Sequence, residues 1–206
     1  MLIQSINSEA KRVLEKIAAN PVFSSFYLAG GTALAIQLGH RESIDLDWFS
    51  REDFSNSRVK ESLSKLGQLE VNSEEEGTLH GVLDGVKISF LRYPYENLFP
   101  LISFERTYLA DERDIAAMKI DAVSSRGSRK DFIDVYFLLQ KYSVNEIFDF
   151  FEKKYKDIKY NKLHILKSLV YFETAEIEPM PIMIKKAEWG DVKSEITAKV
   201  DELLKK

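Results

Sequence analysis

Residues 26–50 read FYLAGGTALAIQLGHRESIDLDWFS. Residues 26–28 have the make-up of a short buried strand, Gly30-Gly31 that of a turn, and residues 32–38 that of a helix stopped by Gly39. Over 44–49 apolar and acidic residues alternate, the period of a second strand. Asp45 and Asp47 fall on that strand at i and i+2, which share a face about 6.5–7 Å apart. Two carboxylates so placed can converge on one or two divalent cations. Hard oxygen donors suit Mg²⁺ (or Mn²⁺), which uses one or two protein carboxylates and completes its shell with water and substrate phosphates.

The chain has 13 Asp in 206 residues, so roughly one D-x-D is expected by chance and the pair means little alone. Its setting raises its weight. Gly31 lies 14 residues before Asp45, at a strand-to-helix junction whose free N–H groups and helix N-terminus make an anion site. A phosphate cradle beside a metal-binding acid pair is a joint signal for phosphoryl chemistry.

Composition excludes several classes. The chain is long enough for one sizeable core, or for a mixed core with a helical appendage. No apolar run approaches the roughly 20 residues of a membrane helix, so no membrane partner is expected. The stretch MLIQSINSEAKRVLEK lacks the basic-then-apolar order of a signal peptide. Without cysteine there are no disulfides, thiolate metal sites or cysteine nucleophiles, and a cytoplasmic location is expected. A net charge of −4 argues against a uniformly basic nucleic-acid binder but leaves room for a local basic face.

Outward from the opening stretch, Ser8 caps a helix with Val13, Leu14, Ile17 and Ala18 on one face. Ser55 or Asn56 starts a helix ending at Gly67. Strands follow over 68–72, 78–83 and 86–91, the last two joined by the hairpin turn Asp84-Gly85, while the acidic tip 74–76 reads as a solvated turn. From Asp111 the pattern turns helical, with helices over 111–127, 131–140, 161–172 and 191–204 and a capping box at Ser143 and Glu146. EIEPMPIM is a Pro-interrupted extended segment. The fold class is α+β, with a mixed part over 1–110 and a helical part over 111–206 packed on it.

A second cluster lies in the helical part. DFIDVYFLLQ is apolar nearly all round, so Asp131 and Asp134, sharing a face at i and i+3, need a cation, a metal or several donors. The local alternatives are Asp131 as a helix-start residue and Asp134 paired with Lys130. Lys119, beside Ala116 and Ala117, faces phosphates or solvent, and Arg41 is within reach of a phosphate. KKYKDIKYNK over 153–162 interleaves lysines with Tyr155 and Tyr160, as an RNA-gripping surface or a solvated helix end.

The stretch GGTALAIQLGHRESIDLDWFS resembles the signature of the AbiEii/AbiGii-type nucleotidyltransferase toxins of the DNA polymerase β-like superfamily, and DIAAMKIDAVSSRGSRKDFIDVYFLL is similar to the family's later Lys and Lys-Asp-x-x-Asp segment. The resemblance covers the chain to about residue 140. It implies a small mixed sheet flanked by helices, and metal-dependent transfer of a nucleotide from an NTP to a hydroxyl, with tRNA or other RNA as acceptor and a separate antitoxin protein as partner. It implies nucleotide contacts at Gly30, Gly31 and Thr32, metal at Asp45 and Asp47, phosphate at Lys119, and cleft acids at Asp131 and Asp134. A third strand carboxylate, common in that superfamily, is missing: the matching strand VKISFL offers Lys87 and Ser89. The base is then Asp131 or Asp134, or activity is impaired. A small-molecule or protein acceptor, and a catalytically silent nucleotide-binding module, stand as alternatives.

Overall fold

A computed structural model describes residues 5–204. The centre of the fold is a seven-stranded mixed sheet in the order β3-β4-β5-β2-β1-β7-β6. β1 (Tyr27–Leu28) runs antiparallel to β2 (Leu46–Ser50), which lies parallel to β5 (Val86–Arg92). β3 (Leu69–Glu75) and β4 (Thr78–Leu83) extend one side as antiparallel hairpins, and β6 (Ile102–Phe104) and β7 (Thr107–Leu109) the other. The Asp84-Gly85 turn has positive φ at both residues, 50° and 83°, as a two-residue hairpin demands. β3 runs on into the acidic tip, and the β6–β7 hairpin has no counterpart in the sequence reading.

Period-2 alternation explains the centre. Trp48 and Phe90 are register partners, stacked 6.2 Å apart, and Phe26 meets Phe90 edge-on at 5.1 Å. These rings fill one face and turn the intervening Asp47 and Ser89 to the other. α1 (Ser8–Ala18) buries Val13, Leu14 and Ile17, and its cap is Asn7, one residue before the expected Ser8, accepting from Ala10 N at 2.8 Å. α3 (Asn56–Ser64) is capped by Ser55.

α2 (Gly30–Leu38) carries the glycine pair as its first residues, earlier than expected, and Gly39 ends it in the left-handed region at φ 60°. α4 (Glu112–Ser125) and α5 (Arg129–Leu139) pack against α2, α6 (Val144–Lys154) against α4. The capping box of α6 forms as read from Ser143 and Glu146. α7 (Lys162–Leu169), the short α8 (Glu173–Glu176) and α9 (Trp189–Leu204) complete the chain, and one apolar core runs through all of it. Among the described residues no helix is long and apolar enough to cross a membrane.

A buried ion pair pins α6 to α4: Lys154 lies 2.7 Å from Asp114, whose carboxylate also accepts from the Leu98 and Phe99 amides at 2.9 and 3.0 Å. Asp114→Ala would strand the Lys154 charge in the core. The expected loss is about 3–5 kcal/mol, read as a lowered urea midpoint with an unchanged slope.

Candidate active site

A cleft of about 570 Å³ opens where the N-terminus of α2, the β2–β5 pair and the α4–α5 junction meet. A larger hollow of about 820 Å³, between Arg51 and the end of α6, is lined by both lysines and acids, among them Lys153, Lys156, Glu96 and Glu152.

Ala29 caps α2 without a side-chain bond, so the first helical amides are left open by any cap. Both glycines are demanded by close neighbours. Gly30 has φ 68°, and a β-carbon there would sit 3.0 Å from Asp47 Oδ2; one at Gly31 would sit 2.5 Å from Arg41 Nη2. The Thr32 side chain is buried; it donates to the Asp45 carbonyl and lies 2.8 Å from Ser43 Oγ. It therefore pins the 43–45 loop to α2, and only its backbone faces outward chemistry.

Asp45 precedes β2 rather than lying within it, because the ladder with β5 starts at Leu46–Ile88. It still lines the cleft together with Asp47, and both are half-buried. Burial pushes the Asp47 carboxyl up, the neighbouring Ser89 hydroxyl partly offsets this, and the charge of Asp45 adds to the push. Asp45 and Asp47 carry no ion pair among the described residues. Asp47 stands in register with Ser89, with Lys87 one step along the same face, so β5 brings a hydroxyl and a cation where a third acid was sought. Asp84 is occupied at its hairpin by Lys16 at 2.6 Å and by the Gln68 amide.

The second acid cluster is an ion-pair network. Arg41 donates through Nε and Nη2 to both oxygens of Asp134 at 2.7 and 2.9 Å, His40 Nε2 approaches at 2.8 Å, and Lys119 at 2.6 Å. Lys119 also reaches Asp131 at 2.9 Å, which Arg126 clasps at 2.8 and 3.0 Å and Ser128 contacts at 2.7 Å. Burial alone would raise both acids. Arg41 and Lys119 instead hold Asp134 well below the usual carboxylate range, and Lys119 and Arg126 do the same for Asp131. His40 is pushed down by burial, and as the donor to an ionised acid it carries its proton on Nε2, leaving Nδ1 without a partner among the described residues.

These contacts bear on four expectations. Asp134 pairs with Arg41 and Lys119 instead of Lys130, and lies wholly buried behind the cleft wall. Cations hold both acids below the usual carboxylate range, which makes Asp131 and Asp134 weak proton acceptors. The guanidinium of Arg41 is committed to Asp134, so it braces the cleft instead of reaching for a phosphate. Lys119, 4% exposed, sits on the cleft floor with its charge shared between two acids. Within 153–162 only Lys154 and Tyr155 turn inward, Lys154 buried on Asp114 and Tyr155, 5% exposed, hydrogen-bonding Tyr93 at 2.6 Å, while the rest of the stretch stays exposed.

The C-terminal third supplies one wall. The extended segment found in the sequence pairs with the chain after α2, Glu42 N donating to Ile182 O at 2.8 Å and Ile184 N to His40 O at 2.9 Å. It brings Glu178 and Pro179 to the cleft. No sequence motif marks these contacts, nor the roles of Ser43 and Ser128.

The donor set fits a small hard cation: two carboxylates that form no ion pair among the described residues, in a cleft with room for phosphate oxygens. No group of three or more His, Cys, Asp or Glu able to hold a metal occurs among the described residues, so substrate and water would complete the shell.

The family model described as "Nucleotidyl transferase AbiEii toxin, Type IV TA system" matches residues 12–110 and 97–205. The chain is 35% identical over 218 residues to the uncharacterised protein aq_aa25 of Aquifex aeolicus, covering 98% of this chain and 99% of that one. A putative nucleotidyltransferase from Helicobacter pylori superposes with a TM-score of 0.59 at 15% identity, covering 100% of this chain and 96% of that one. The nucleotidyltransferase toxin MenT4 from Mycobacterium tuberculosis superposes with a TM-score of 0.53 at 14% identity, covering 95% and 86%.

Arg41→Lys keeps the charge but loses the two-pronged clasp on Asp134. The expected cost is about 1.5–3 kcal/mol in urea denaturation, and a Lys that stabilised as well as Arg would show the clasp to be unimportant.

Proposed function

The chain belongs to the AbiEii family of nucleotidyltransferase toxins of type IV toxin–antitoxin systems, and from that premise we propose that its cleft moves a nucleotide from an NTP to a hydroxyl of RNA, tRNA foremost, with the help of Mg²⁺ or Mn²⁺. The observation that carries this reading is the division among four acids: Asp131 and Asp134 are neutralised by cations, while Asp45 and Asp47 face the α2 N-terminus unpaired.

In this reading the open amides of Gly31 and Thr32 receive the triphosphate, with Lys87, Arg126 and Lys130 around it. Asp45 and Asp47 hold the divalent cation, which when bound supplies Lewis-acid stabilisation of charge on phosphoryl oxygens. The acceptor hydroxyl gives its proton to solvent as its oxygen bonds to the α-phosphorus and the bond to the bridging oxygen breaks, and pyrophosphate leaves toward the rim cations. Lys119 and Arg41 act through the acids they hold, keeping the α4–α5 wall in place. The exposed Lys87, Arg126 and Lys130 favour a polyanionic acceptor. A cognate antitoxin is the partner this family implies. The Ser89 position favours one competing reading, a nucleotide-binding module without turnover.

The test is incubation with each labelled NTP, Mg²⁺ and total tRNA. Wild type should label RNA, and Asp45→Asn or Asp47→Asn should lower the rate on the order of 100-fold or more with the melting temperature retained. NTP binding without label transfer by wild type would favour the silent module, and antibiotic-dependent turnover a small-molecule acceptor.

A further inference from the structure

The hollow between Arg51 and the end of α6 takes no part in the transfer described above, although it is larger than the cleft. Arg51 follows β2 directly, four residues beyond Asp47, so the hollow opens about 13 Å along the strand from the acid pair. Its wall carries a ring that is held still. Tyr95 meets Tyr93 and Tyr155 edge-on, with centroids 4.8 and 4.9 Å away, and those two are tied by the 2.6 Å bond between their hydroxyls. The plane of this half-buried ring is therefore set before any ligand arrives. The charged groups around it are of two kinds. Lys154 is buried on Asp114 and Lys162 pairs with Glu152, whereas Lys153 and Lys156 are exposed and form no ion pair among the described residues. Asp149 and Asp157 are exposed carboxylates on the same lining. Cations alone would grip any anion. A fixed aromatic face with both cations and carboxylates matches a whole nucleotide: the ring takes the face of the base, a carboxylate accepts from its amino edge, and the lysines take phosphate.

We propose that this hollow is a second nucleotide site, holding one unpaired nucleotide of the acceptor RNA with its base on Tyr95 and its phosphates against Lys153 and Lys156. The proposal rests on the reading of RNA as the acceptor. RNA is favoured over a free nucleotide because the basic charge runs on past the hollow. Residues 153–167 carry six lysines against one aspartate, in a chain whose net charge is −4, so a strand leaving the hollow meets further cations. The nucleotide must be unpaired, since a base stacked in a duplex has no face to offer a ring. At about 13 Å from the acid pair, the site selects which RNAs present a hydroxyl to the cleft and takes no part in the exchange of bonds.

Two measurements test it. Irradiation of the full chain with tRNA transcribed with 4-thiouridine, followed by digestion and mass mapping, should mark Tyr95; crosslinks confined to the cleft would overturn the proposal. In transfer kinetics, Tyr95→Leu should raise KM for tRNA about fivefold or more, while kcat and KM for the NTP hold. Lys153→Gln with Lys156→Gln should raise it too, and should flatten the log–log salt dependence of tRNA binding by about 0.7 per lysine. Arg58→Gln with Lys65→Gln, exposed at α3 and outside both cavities, should leave KM as it was. An unchanged KM in both hollow variants, as a free-nucleotide or peptide site would give, sinks the proposal and leaves transfer to RNA standing. An equal rise in the α3 pair, the mark of diffuse attraction, does the same. The crosslink needs only the wild-type chain, so it decides the matter even where Tyr95→Leu fails to fold. Wild type that transfers no label yet gives the Tyr95 crosslink would instead sink the transfer reading and leave the RNA site in place.

Discussion

The carboxylate of Asp134 is the constraint on which the cleft depends. It is fully buried, and a charge in such a place persists only when partners replace the lost water. Four contacts do so, from Arg41, His40 and Lys119. Arg41 and His40 come from the loop after α2, Lys119 from α4 and Asp134 from α5, so one buried charge locks together segments more than 90 residues apart. The lock extends to the glycine pair. With Arg41 held against Asp134, its Nη2 fills the space a side chain at position 31 would need, and only glycine lets α2 begin beside the acid pair.

The network also divides labour among the acids. Burial pushes Asp47, Asp131 and Asp134 in one direction, toward the protonated form. For Asp131 and Asp134 adjacent cations win by a wide margin, and the two remain acceptors that hold architecture. Lys119 and Arg126 act on Asp47 only weakly, and burial prevails there. An acid in that condition is poorly satisfied in the empty cleft and gains most from a cation of its own. One residue type, aspartate, thus does two jobs, and the difference lies wholly in which cations stand next to it.

How much of this was legible in the sequence follows from the range of each interaction. The Gly-Gly start of α2, the acid pair, the Asp84-Gly85 turn and the Ser143 capping box are local patterns, and each formed at or within two residues of its reading. The partner of Asp134 was sought four residues away, at Lys130, because local spacing offers nothing further; the true partner is Arg41, 93 positions distant. The β6–β7 hairpin was invisible because three-residue strands carry too little period to stand out. Lys154 and Tyr155 looked like surface since composition cannot tell which face of α6 meets Asp114 and Tyr93. The contact of Ser89 on β5 with His80 on β4 depends on strand register, which no single-strand pattern contains. Only the absence of acid on β5 could be seen beforehand, and it was.

That absence bears on how an acidic chain can accept a polyanion. Arg41, Lys87, Lys119, Arg126 and Lys130 line the cleft, against Asp45, Asp47, Asp131 and Glu178, with Asp134 directly behind. Five cations then face five acids, and the cleft is neutral although the chain carries −4. One divalent cation on Asp45 and Asp47, as proposed, would make it net positive by two, in a concave space where field lines are focused. A carboxylate at position 89 would leave the loaded cleft one charge poorer and would set a third acid against an Asp47 already pushed toward protonation. A neutral Ser89 avoids that repulsion, and Lys87 on the same strand adds a cation beside Asp45. On the proposed reading, the strand that withholds a ligand from the metal would thereby raise the pull on a triphosphate, so attraction for phosphate would follow the local arrangement and not the sign of the whole chain.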